Sequence, residues 1–97
     1  MFTRMITIHV PAEKANEAER TWKHELGPLV ARQTGCLSHM LLRSRETPNK
    51  FVSVSNWASK QSVDHFVQGE AREEIKEFTR SVLGATKVEV ELYEAFG

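Results

Sequence analysis

Residues 2–10, FTRMITIHV, set Ile6, Ile8 and Val10 against Met5, Thr7 and His9. That alternation is a strand, because successive side chains leave an extended chain on opposite faces. Pro11 cannot donate to a ladder but fits the first turn of a helix. Beyond it Ala15, Ala18, Trp22, Leu26, Leu29 and Val30 recur at helical spacing, with Glu13, Lys14, Glu17, Glu19, Arg20, Lys23 and Glu25 on the wet side. The pair Gly27-Pro28 predicts a kink, since Pro28 removes the bond to the carbonyl of His24, and Gly35 is the expected C-terminal cap. Strands follow at 36–44 and 50–57, joined through the turn residues of RETPN into a hairpin. Ser59 then caps a short helix carrying Val63 and Phe66 on one face. Gly69 interrupts, and a second run places Ala71, Ile75, Phe78 and Val82 on one side until Gly84. Residues 85–96, ATKVEVELYEAF, close the chain as a strand, Val88, Val90 and Leu92 opposite Lys87, Glu89, Glu91 and Tyr93.

The order is βαββαβ, with the second crossover in two pieces. Such an order gives an α+β fold, the ferredoxin-like sandwich: a four-stranded antiparallel sheet with helices on one face. Residues 1–97 are expected to form one domain. The sheet's other face carries Met5, Thr7, His9, Val52, Val54 and Tyr93 among Glu89 and Glu91, too apolar for plain solvated surface. A second copy covers it most simply, so a homodimer is expected, the two sheets facing each other as a dimeric α+β barrel.

Charge changes the picture by exclusion. Thirteen basic and thirteen acidic residues cancel, leaving no overall field for nucleic acid or an anionic membrane. RNA-recognition domains share the βαββαβ order but need exposed aromatics on the central strands and a basic groove; Val52 and Val54 rank that reading last. The single cysteine, Cys36, cannot form an internal disulfide, and Met1 does not open a secretory pattern. With no run of about 18 apolar residues either, a cytoplasmic protein that does not span a membrane is expected.

Candidate chemistry concentrates in residues 51–66, FVSVSNWASKQSVDHF. Phe51, Ser53, Ser55 and Trp57 share one strand face, and Trp57 ends the strand just before a helix turns back with Val63 and Phe66. The geometry closes one end of an apolar space between sheet and helix, in which the indole either lines a pocket or fills the core. His39 depends on the hairpin register: a three-residue loop at 47–49 sets it opposite Trp57, whereas a one-residue slip puts Ser38 or Met40 there. His65 stands beside Phe66 at the expected pocket mouth, His9 on the outer sheet face and His24 on a charged helix. Four histidines without an H-x-H or H-E-x-x-H spacing give no metal site. Cys36 reads as a small apolar residue rather than a nucleophile.

The run GCLSHMLLRSRETPNKFVSVSNWASKQSVDHF resembles the antibiotic biosynthesis monooxygenase (ABM) domain in its Gly-Cys-Leu, its turn with proline, its Phe-Val, its Trp-x-Ser and the short helix that follows. The first strand, Leu29-Val30 and the closing strand extend the likeness over nearly the whole chain, with Trp57 and Ser59 its best fixed points. The resemblance implies a dimeric α+β barrel with a pocket between sheet and helices in each subunit. It is less uniform about activity. Some members oxidise polycyclic phenols or quinols with molecular oxygen and neither metal nor flavin, some degrade haem, and many have no demonstrated activity. In the cofactor-free oxygenases the substrate, as a phenolate, passes an electron to oxygen, which calls for a water-poor cavity and a few polar groups that hold and ionise the phenol.

Carried over by position, Trp57 matches the family's pocket tryptophan. Ser53 stands where one enzyme type places an asparagine, and Val63 replaces a bulkier residue sometimes found there. The haem-degrading branch has an asparagine, a tryptophan and a histidine where this chain has Ile6, Phe66 and Lys76, and none of the three can do that work. Other relatives carry histidines at the position of Phe66 and near Ala71. The expectation is therefore a monooxygenase without cofactor that acts on a small aromatic or quinol-like molecule. His39 and Ser53 are its catalytic candidates, and Trp57, Ser55, Phe51, Phe66, Val63, His65 and Ile6 its substrate-binding candidates. The alternative is a non-catalytic dimer of the same fold that binds a small molecule or a partner protein. A cavity that holds an aromatic ring and is reached by a histidine favours the enzyme; a filled core favours the binder.

Overall fold

A computed structural model describes residues 1–97. Strands β1 (Phe2–His9), β2 (Cys36–Arg43), β3 (Lys50–Trp57) and β4 (Lys87–Glu94) form one antiparallel sheet in the order β2-β3-β1-β4. Helices α1 (Ala15–Thr21), α2 (Gly27–Ala31), α3 (Lys60–Val67) and α4 (Glu70–Ser81) lie across one face, so the chain is the ferredoxin-like α+β sandwich that its βαββαβ order predicts. No helix is long and apolar enough to cross a membrane.

Strand β3 is central and buries every second residue: Phe51, Ser53, Ser55 and Trp57 point to the helices. Ile8 of β1, Trp22, Leu26 and Val30 of the first crossover, Val63 and Phe66 of α3, Ile75 of α4 and Leu83 complete one core with Phe51 and Trp57. Trp57 is fully buried, its ring centroid 5.0 Å from that of Phe66. Burial of large apolar side chains contributes about 1.5–3 kcal/mol each, so this pair ties α3 to the end of β3. The Ser59 hydroxyl accepts from the Ser62 amide at 3.1 Å, the cap expected for α3.

In and after the helices, local structure departs from expectation in three places. The kink expected at Gly27-Pro28 is instead a π-helical turn over Trp22–Leu26, with the Gly27 amide donating to the Trp22 carbonyl. Pro28 has no amide for His24 and its ring crowds that carbonyl, so the turn before it widens. Gly35 does not cap α2, whose last turn ends at Arg32; it adopts a φ of 86° in the turn entering β2, against Ser62. Helix α4 ends before Val82, which is 45% exposed, and Leu83 takes the buried position.

The hairpin register is neither of the two considered. Ser44 N bonds Lys50 O at 2.9 Å, which leaves five residues in the loop instead of three. A shift by two keeps every side chain on its face. His39 thus pairs with Ser55 and still points to the helices, while a bulge at Leu37 brings Cys36 opposite Trp57.

The second crossover creates space. Helix α4 packs mainly on α3 and α2 and not down on the sheet, so the inner face of β4 is only half covered: Val88 and Val90, paired with Ile8 and Ile6, remain 49% and 51% exposed.

Candidate active site

Between α4 and the inner face of the sheet lies a cavity of about 280 Å³. Its floor is Ile6 and Ile8 of β1, Ser53 and Ser55 of β3, and Val88 and Val90 of β4. Trp22 and Val30 close one side, Phe66 another, and Ile75 and Thr79 form the roof. Two serines at the centre of a buried strand leave room that Val or Leu would fill. The volume suits a ligand of one or two aromatic rings.

Ser53 brings a base to this cavity. Its Oγ lies 2.9 Å from Nε2 of His39, a half-buried imidazole stacked on Trp22 with ring centroids 6.1 Å apart and planes 17° from parallel. Burial pushes the His39 pKa below its ordinary value, so the ring is neutral at pH 7. With the imidazole proton on Nδ1, Nε2 accepts the Ser53 hydroxyl proton and leaves the serine oxygen free to accept another from the cavity. His39 itself does not line the cavity; it borders a neighbouring polar groove with Glu19, Lys23 and Arg43. The pair therefore reaches from the cavity toward that groove.

Ser55 is committed elsewhere. Its Oγ accepts from Trp57 Nε1 at 2.9 Å and donates to the Arg4 carbonyl at 3.4 Å, so it fixes the indole.

Arg4 is the buried cation of the site. Only 5% exposed, it faces the helices from β1, its Cζ 5.6 Å from the Phe66 ring centroid. No carboxylate pairs with it, and burial, reinforced by the charge of Arg72, pushes its pKa down to about 10. It remains charged at neutral pH. Arg72, Lys76 and Arg80 of α4 also reach the cavity wall. Trp22 Nε1 and Thr79 Oγ1, on residues of the same wall, are buried without a protein partner.

The candidate residues therefore separate. Ile6, Ser53, Ser55 and Phe66 meet at the cavity, with His39 behind Ser53. Trp57, expected to edge the pocket, does not line it: the indole lies in the core, behind Ser55 and Phe66. Phe51 and Val63 are core residues too, and His65 is exposed on α3 away from the cavity. The tryptophan of the wall is Trp22. Sequence reading missed it along with Arg4, Arg72 and Thr79, although Arg4 shares the inward parity of Ile6 and Ile8, where a charge already stands out. The positions carried over from the haem-degrading pattern, Ile6, Phe66 and Lys76, all reach the cavity, but none is an imidazole.

A search among curated proteins finds no match. Solved structures do match. A protein of Deinococcus radiodurans provisionally named an antibiotic biosynthesis monooxygenase superposes with a TM-score of 0.88 at 18% identity, covering 100% of this chain and 94% of its own. SnoaB of Streptomyces nogalater, a cofactor-independent oxygenase solved as a mutant, gives 0.80 at 22% identity over 97% and 91% of the two chains. A conserved protein of Methanosarcina mazei gives 0.79 at 20% identity over 97% and 92%. At these identities the likeness is one of fold. The family model for antibiotic biosynthesis monooxygenases matches residues 1–78, which include β1, β2, β3 and most of the cavity wall but not β4, and the chain belongs to that family.

Proposed function

We propose that the cavity binds a small phenol and oxidises it with molecular oxygen, the Ser53-His39 pair acting as the base. The observation that carries this reading is the 2.9 Å contact between a buried serine of the cavity floor and a neutral imidazole behind it. A phenol hydroxyl at Ser53 gives up its proton as the serine proton passes to Nε2 of His39. The phenolate then transfers an electron to oxygen, and a carbon–oxygen bond forms at the unsubstituted para carbon. One oxygen atom stays as the new carbonyl of a quinone; the other leaves as water with the ring hydrogen and the phenolic hydrogen. Ile6, Ile8 and Phe66 supply apolar surroundings, and a ring bound over the half-exposed Val88 and Val90 covers them and keeps water from competing. SnoaB, described as a cofactor-independent oxygenase, has the same fold and supports this chemistry.

Oxygen uptake by metal- and flavin-free protein against 1-naphthol and anthrone tests the proposal. One oxygen is consumed per quinone formed, with one labelled atom incorporated from ¹⁸O₂. His39→Gln and Ser53→Ala each lower the rate by about 100-fold or more, the usual range for loss of a general base. No uptake across both compounds overturns the oxygenase reading and leaves a non-catalytic binding protein.

We infer also that two copies pair through the outer sheet face. Met40 and Leu42 of β2, 58% and 42% exposed, share that face with Met5, Val52 and Val54, a continuous apolar patch in the middle of the sheet.

A further inference from the structure

The cavity wall is charged on one side of the ledger only. The chain holds thirteen basic and thirteen acidic residues, yet four of the former and none of the latter line this space. The four differ in what they already do. Arg80 is bound to Glu77 at 2.7 Å and Arg72 only loosely to Glu73 at 3.4 Å, both acids being exposed; Arg4 and Lys76 have no carboxylate partner at all. Arg4 is the telling one, because a guanidinium that is 5% exposed needs a compensating anion more than any surface cation does. The remaining unpaired groups on the wall point the same way. Trp22 Nε1 can only donate, and Thr79 Oγ1 has a proton to give, so the wall offers donors in excess of acceptors.

Resting on the reading of this cavity as a substrate site, we propose that its ligand is a hydroxylated aromatic acid, with its carboxylate held by Arg4 and Arg72 and its ring hydroxyl turned to Ser53. Arg4 pairs across the sheet with Ser55, two residues along β3 from Ser53. Residues two apart on a strand are separated by roughly 7 Å, which sets the distance from anion to hydroxyl at about the length of a two-ring aromatic. The ring itself lies over Ile6 and Val90. A guanidinium fork matches a planar carboxylate with two parallel hydrogen bonds, and the low-dielectric wall strengthens them. The carboxylate fixes orientation: a phenol bound by its anion presents its hydroxyl to the base at the other end.

Calorimetric titration with 5-hydroxy-2-naphthoic acid, whose carbon para to the hydroxyl is unsubstituted, and with its methyl ester tests this. The acid is expected to bind at least about tenfold more tightly than the ester, the range of a charge-assisted hydrogen-bonded pair. Arg4→Met brings the two within about twofold of each other while leaving ester binding in place, and Arg4→Lys restores part of the preference. Should Arg4→Met fail to fold by circular dichroism, Arg72→Gln and Lys76→Gln, which alter helix α4 at its surface, serve instead and each shrink the acid's advantage. Equal binding of acid and ester, binding of neither, or a preference untouched by all of these substitutions overturns the proposal. Oxygen uptake separates it from the oxygenase reading. Charge-selective binding without uptake leaves the ligand class standing and removes the reaction, whereas uptake on 1-naphthol with no charge preference does the reverse.

Discussion

The imidazole of His39 rests on the backbone of Gly27: a Cβ at that glycine would stand 2.8 Å from the His39 ring and 2.7 Å from the Trp22 carbonyl oxygen. The π-helical turn before Pro28 brings the helix this close to β2, and the absence of a side chain lets the ring lie flat against Trp22 and reach Ser53.

Gly27→Ala tests that relationship. The methyl group has a backbone oxygen on one side and a packed ring on the other, so the ring must give way. Overpacking of this kind costs about 1–3 kcal/mol, readable as a lower denaturant midpoint. The larger consequence falls on chemistry: with His39 displaced from Ser53, oxygen uptake falls about as far as in His39→Gln, while calorimetric affinity for the substrate stays within a few-fold.

His39 also makes stability depend on pH in a definite direction. Burial lowers its pKa in the folded chain below the ordinary value near 6.5, so between the two values the unfolded chain binds the extra proton. Its stabilising contribution is fully present above the unfolded pKa. It declines as pH falls through the window and is lost below the folded pKa. Urea melts of the native chain and His39→Gln, compared from pH 7.5 to 4.5, are expected to differ in slope across that window and to run parallel above it. If the proposed oxygenase chemistry holds, the rate of oxygen uptake is expected to fall on the acid side at the lowered pKa for the same reason, since only the neutral ring accepts a proton.

The two tryptophans are predicted to fail differently. Trp57→Phe removes the donor to Ser55 and leaves a buried hydroxyl and a small void, a loss of about 1–3 kcal/mol with little change in ligand affinity. Trp22→Phe removes a wall of the cavity and the surface on which His39 stacks. It is expected to weaken ligand binding by about tenfold or more and to lower the rate as well. A larger loss of binding in Trp57→Phe than in Trp22→Phe would mean that Trp57, not Trp22, faces the ligand.

That contrast marks how far the residues could be read beforehand. Strand faces were legible, because alternation in FVSVSNW and KVEVELY fixes parity, and a register shift of two leaves parity intact; His39 pointed to the helices although its partner is Ser55. The Ser59 cap and the break at Gly69 were legible for equally local reasons. Depth was not. Whether Trp57 or Trp22 touches a cavity depends on where α4 sits above the sheet, and nothing in the spacing of Ile75 and Phe78 encodes that height. Apolar alternation in FTRMITIHV marks the strand but gives no weight to Arg4, although an arginine at an inward position of a central strand is the rarer observation. A search for charges that break an inward alternation finds it directly.

Val54→Asp tests the proposed pairing of two sheets. Val54 lies near the centre of the outer face, opposite Met5 on β1 and Met40 on β2. Both neighbours are apolar, and a twofold interface that covers them brings the same positions of both copies together. A carboxylate there is buried twice in the dimer, without a cation among those neighbours, whereas in a lone subunit it faces water at little cost. The fold of each subunit is therefore expected to survive while association fails. Sedimentation equilibrium should move from about twice the chain mass of 11.1 kDa to that mass, with the far-ultraviolet dichroism unchanged. A native chain that already sediments as a monomer refutes the pairing. So does a Val54→Asp variant that remains a dimer, since an interface tolerating two buried carboxylates at its centre is not centred there.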